Sequence, residues 1–94
     1  MNISSIVEQK KNAILQLLSR YNFSRESNLK ITEIVEEVSR KELEYELKTN
    51  DFNNIYSRIY ESSLKQIEEI QDQNIKKDVL LFLNNLQNFL RKGV

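Results

Sequence analysis

Six glutamates crowd into residues 33–46 of this chain, at positions 33, 36, 37, 42, 44 and 46, and they come nearest of all its side chains to a chemical constellation. Paired carboxylates can act as general acid and base or as oxygen ligands for a hard cation. The pattern suits neither use. Ile31, Ile34, Val35 and Val38 recur at i, i+3, i+4 and i+7, which sets Glu33, Glu36 and Glu37 on the opposite, solvated side of a helix. No Asp/Asn/Gly loop stands ready to wrap a calcium ion. An acidic face of this kind is expected to dock on a basic partner instead.

Other chemistries fail for want of a residue type. Histidine and cysteine are both absent, which removes the neutral-pH acid/base, the thiolate nucleophile and the commonest soft metal ligands together. Ser4, Ser5, Ser24, Ser27, Ser39, Ser57, Ser62 and Ser63 therefore have no imidazole to activate them, and they read as caps and helix surface. Glycine occurs once, at Gly93, so a phosphate-cradling glycine loop or a dinucleotide fingerprint is excluded. The expectation is a non-enzyme with no cofactor, no metal and no small-molecule substrate.

Nucleic acid is the next class to test. Thr32-Glu-Ile-Val-Glu-Glu-Val38 followed by Ser39-Arg40-Lys41 resembles the helix-turn-helix of small dimeric regulators, which would make Arg40 and Lys41 the DNA-contacting residues. The segment lacks the glycine usual between the two helices of that motif. Its would-be recognition helix alternates Arg40 and Lys41 with Glu42, Glu44 and Glu46, whose charges repel phosphate. Tyr21, Tyr45, Tyr56 and Tyr60 have the π faces that stack on bases, but no basic groove accompanies them, and core or interface is their expected place. Lys76, Lys77, Arg91 and Lys92 bracket the last helix and read as solubilising ends. DNA binding by a small regulator, viral or plasmid-borne, is accordingly the second reading of function.

The elements that must carry these side chains are helical. Proline is absent, and nothing supplies the tight turns of hairpins. A first helix is predicted from a capping box formed by Ser5 and Glu8, with Ile3, Val7, Ile14, Leu17 and Tyr21 as its stripe. Residues 22–30, rich in serine and asparagine, read as a connection anchored by Phe23 and Leu29. The acidic helix follows. After Val38 its stripe slips to Leu43 and Leu47, which leaves two readings: a second capping box at Ser39 and Glu42 opens a new helix, or one helix continues with Tyr45 on its face. The slip favours the break. Thr49, Asn50 and Asp51 favour an N-cap, Phe52, Tyr56, Ile59, Tyr60, Ile67 and Ile70 form the next stripe, and Asp72, Gln73 and Asn74 mark another turn. The last helix keeps Ile75, Val79, Phe82, Leu83, Leu86 and Leu90 on one face and ends at Arg91-Lys92-Gly93. Leu80, Leu81 and Phe89 add apolar area beside that face, more than a helix on the rim of a monomeric bundle needs.

Ninety-four residues, 39% apolar and 30% charged, support one core and one domain, 1–94. The predicted fold class is all-α, a compact bundle of four or five helices. No apolar run approaches the length of a membrane span, and Met1 to Lys11 lacks the apolar stretch of a secretory signal, so a soluble, cytoplasmic protein is expected. Net charge is zero, which offers no global field to hold a polyanion.

Over its last half the chain resembles the helical domain of GINS replication subunits. The likeness is carried by Tyr45, Leu47, Asp51, Phe52, Ile55, Tyr56 and Ile59, then by a second long helix ending in Arg91-Lys92. In build it is also similar to small accessory subunits of archaeal DNA polymerases. Both resemblances imply a non-catalytic adaptor or accessory subunit that binds a larger protein in a DNA replication or other nucleic-acid-handling assembly. The residues expected to meet that protein, or a second copy in a homodimer, are Leu80, Leu81 and Phe89 on the last helix and Glu33, Glu36 and Glu37 on the acidic one.

Overall fold

The computed structural model describes residues 3–49 and 55–92, with side chains over 5–49 and 57–86. Four helices follow one another: α1 (Ile3–Leu17), α2 (Arg25–Thr49), α3 (Ile55–Ile67) and α4 (Gln73–Lys92), with a 3-10 turn at Leu18–Arg20 extending α1. No strand occurs among the described residues, and the architecture is the all-α bundle that the apolar spacing predicts.

The helix starts show how local chemistry sets the frame. Ser24 caps α2, its Oγ accepting from the Ser27 amide at 3.2 Å while its carbonyl receives the Asn28 amide at 3.0 Å. Asp72 caps α4 through Oδ1, which accepts from the amides of Asn74 at 2.9 Å and Ile75 at 3.1 Å. Of the four amides that a helix start leaves without an intrahelical acceptor, Ser24 satisfies one and Asp72 two, the Asn28 amide making the first intrahelical bond of α2. The predicted capping box at Ser5 is not used. Helix α1 already runs from Ile3, so Ser5 sits within its first turn.

The connection expected over 22–30 is much shorter than the sequence suggested. Only 21–24 lie between helices, because the Ser24 cap lets Arg25 to Lys30 join α2. Phe23 does anchor it, stacking on Tyr21 with ring centroids 4.9 Å apart, and Tyr21 in turn meets the edge of Phe82 on α4 at 5.7 Å. Leu29 does not, since it points outward at 60% exposure.

Helix α2 is the axis of the molecule. It packs on α1, α3 and α4, and its Ile31, Ile34, Val35 and Val38 join Ile14, Ile59, Val79, Phe82, Leu83 and Leu86 in one core. Ser27 fastens its first turn to α4 by donating its hydroxyl to Asp78 Oδ2 at 2.5 Å. The favoured break at Ser39 does not exist. The helix runs unbroken through Ser39, which is buried, and the buried side continues from Val38 and Ser39 to Glu42 and Glu46. Those positions follow Val38 at four and eight residues, the natural continuation of a helical stripe. Leu47, assigned to a rotated apolar face, is 61% exposed instead. Of the α3 start predicted from Asn50, Asp51 and Phe52, nothing falls within the described residues; its buried side there comprises Ile59, Ser63 and Ile67.

Two substitutions separate these points. Leu83→Ala should lower unfolding free energy by roughly 2 to 5 kcal/mol in a urea titration, as removal of a fully buried leucine side chain does. Ser39→Ala distinguishes the continuous helix from the broken one. A capping serine would cost about 0.5 to 2 kcal/mol when removed, whereas here Ser39 Oγ is buried with no hydrogen-bond partner among the described residues. Alanine then relieves an unsatisfied hydroxyl and improves helix propensity, so stability should stay level or rise.

Candidate functional site

Among the described residues, three surfaces or clusters gather side chains suited to recognition. The first lies where the core stripe of α2 turns polar. Glu42 and Glu46 are one helical turn apart and buried at 6% and 0% exposure, and both face Arg58 of α3. The guanidinium donates through Nε to Glu42 Oε1 at 2.5 Å and through Nη2 to Glu46 Oε1 at 3.3 Å. Its carbon also lies 4.7 Å from the centroid of the Tyr45 ring, a cation–π contact on the same face of α2. One planar cation thus spans an i, i+3, i+4 patch. Arginine suits this role because its fork can serve two acceptors while its face stacks on an aromatic ring.

These glutamates were expected to repel phosphate from a would-be recognition helix, and their burial against Arg58 is a correction. The signal was nonetheless in the sequence: carboxylates at Val38+4 and Val38+8 continue the core stripe, and Arg58 directly precedes the core residue Ile59. That spacing marks positions on the inner faces of two helices, while packing decides which charges meet across them. The cluster's chemistry is structural. Among the described residues no group of three His, Cys, Asp or Glu side chains is placed to hold a metal.

The second surface is a groove between α1 and α2, lined by Lys11 from α1 and by Leu29, Thr32, Glu33, Glu36, Glu37 and Arg40 from α2. It brings together all three glutamates predicted to form the acidic face. Lys30 approaches Glu33 at 3.9 Å, Lys41 pairs with Glu37 at 3.5 Å and Lys11 pairs with Glu8 at 2.8 Å. All are short-range pairs within one helix, individually worth little. Glu36 enters no ion pair among the described residues.

The groove also decides the geometry of Arg40 and Lys41. A helix-turn-helix needs a turn between residues 38 and 40, and the unbroken α2 has none. Lys41 is engaged by Glu37, and Arg40 projects into the groove that holds Glu33, Glu36 and Glu37. Segment 32–47 is therefore not that motif.

The third surface is the outer side of α4. Val79, Phe82, Leu83 and Leu86 are buried, and the opposite face presents Lys77, Leu80, Leu81 and Asn84, all exposed. Leu80 is 41% and Leu81 47% exposed. Both are placed as the sequence reading required, while Phe89 lies outside the described side chains.

The ion cluster yields a measurable consequence. Arg58→Ala should destabilise by about 3 to 5 kcal/mol in chemical denaturation, because it leaves two carboxylates buried without their cation. Replacing Arg58, Glu42 and Glu46 together by Met or Leu should recover most of that loss. A single substitution that proved nearly neutral would show the cluster to be solvated.

Among the described residues no helix is long and apolar enough to cross a membrane. Comparison with protein-family models, with curated proteins and with solved structures finds no match to this chain, so the reading of its function rests on the residues and geometry described above.

Proposed function

We propose that this chain is a non-catalytic helical adaptor or accessory subunit that docks on a larger protein through the outer face of α4. The observation that carries the reading is the exposure of Leu80 and Leu81 side by side on a helix whose other face already fills the core. Among the described side chains, α4 gives Val79, Phe82, Leu83 and Leu86 to that core, with Ile75 packed against it. Leu80 and Leu81 leave 41% and 47% of their surface in water outside that core, and adjacent exposed apolar side chains usually mark a contact.

Catalysis has no support in the arrangement. The two buried serines with hydroxyl bonds spend them structurally, Ser27 on Asp78 and Ser63 on the Ile59 carbonyl at 2.7 Å. The setting proposed for the adaptor is a replication or other nucleic-acid-handling assembly, on the resemblance that Tyr45, Leu47 and Ile59 help to carry. Both Tyr45 and Leu47 are exposed, which suits a subunit with more than one contact.

The test is an affinity capture from the native cell with the parent chain and with Leu80→Glu and Leu81→Glu. Circular dichroism should show all three to be equally helical, since both positions are solvated. Proteins retained by the parent should be lost with the glutamate variants. Equal retention by all three would reject the α4 face and transfer the role to the acidic surface of α2.

A further inference from the structure

We infer that the α1–α2 groove receives the α4 outer face of a second copy of this chain, so that the protein self-associates head to tail. The inference rests on the α4 docking surface proposed above and names one occupant for it.

The two surfaces are complementary in charge and in apolar spacing. On α4, Lys77 precedes Leu81 by four residues; on α2, Glu33 follows Leu29 by four. Four residues rise about 6 Å along a helix. Laid antiparallel with Leu81 over Leu29, α4 therefore brings Lys77 beside Glu33, and both contacts are made at once. Leu29 is the most exposed apolar side chain of the groove, and the Glu33 side chain is 68% exposed, so each is accessible to a neighbour. Lys77 enters no ion pair among the described residues.

Pairing α4 with α4 is the poorer match. The exposed face at Lys77, Leu80, Leu81 and Asn84 holds no carboxylate, so an antiparallel pair centred on the leucines would set Lys77 against Asn84 without a countercharge. The groove supplies that countercharge. A formal net charge of zero also leaves copies of the chain without the long-range repulsion that keeps strongly charged proteins apart.

Because the two faces differ, the contact is heterologous and does not stop at two copies. Each array ends with one free α4 face and one free groove. The terminal α4 face is then still available to a larger protein, so self-association and the adaptor role are compatible.

Sedimentation equilibrium at low salt tests this. The contact is small and partly ionic, so the parent should be largely monomeric when dilute. Its average mass should pass that of a dimer as concentration rises toward about 1 mM, and added salt should reverse the increase. Lys77→Glu and Glu33→Lys should each weaken association by about tenfold or more, since each sets like charges together. Mixing the two variants should restore it, because each altered face then meets an opposite charge. Leu29→Ser should weaken association by a route independent of charge. Circular dichroism on every variant verifies folding.

A parent that stays monomeric throughout overturns the second copy as occupant, and the affinity capture with Leu81→Glu then judges the α4 face separately. Association that halts at a dimer, that ignores Glu33→Lys, or that fails to return on mixing overturns the groove as acceptor.

Discussion

The structure depends on one cation that meets two buried carboxylates. Helix α2 runs far beyond its own apolar stripe, and its second half turns Glu42 and Glu46 toward α3 where a typical bundle would place leucine. Taking a carboxylate out of water is costly unless a charge and hydrogen bonds replace the lost hydration. Arg58 supplies both to both residues and stacks on Tyr45 as well. This sets the rotation and register of α3 on α2, since another register would strand the carboxylates. An apolar seam of equal size tolerates sliding better, because hydrophobic contact has no direction.

From that pairing the rest of the bundle follows. Helix α3 lays Ile59 and Ile67 into the core beside Ile34, Val35 and Val38, and the Asp72 cap starts α4 on its return path. Helix α4 closes on α2 at the other end, where Ser27 and Asp78 form the polar counterpart of the Arg58 cluster. Between these polar ties lies a dry middle of isoleucine, valine, phenylalanine and leucine. The ties specify the arrangement, while the dry middle provides the driving force.

Surface chemistry is divided just as cleanly. The acidic back of α2 shares its groove with Leu29, and the outer face of α4 sets Lys77 beside Leu80 and Leu81. Neither surface contains groups poised for bond making. Each combines an apolar centre with charge at its margin, the usual composition of a protein contact.

Much of this was legible from residue order, and the part that was not has a common cause. Helical class, the Asp72 boundary, the core face of α4 and the exposure of Leu80 and Leu81 follow from local periodicity, because a helix is a local structure and an amphipathic one declares its buried side. Glu8, three residues after Ser5, suggested a cap that the chain does not use, since a capping pattern competes with whatever lies upstream of it. The continuity of α2 through Ser39, the burial of Glu42 and Glu46, and the importance of Arg58 were decided only by tertiary structure. A carboxylate's place, in water or in the core, depends on whether a cation from another helix reaches it, and Arg58 is twelve residues beyond Glu46 along the chain. Local patterns record which positions share a face; only packing determines which charges meet across two faces.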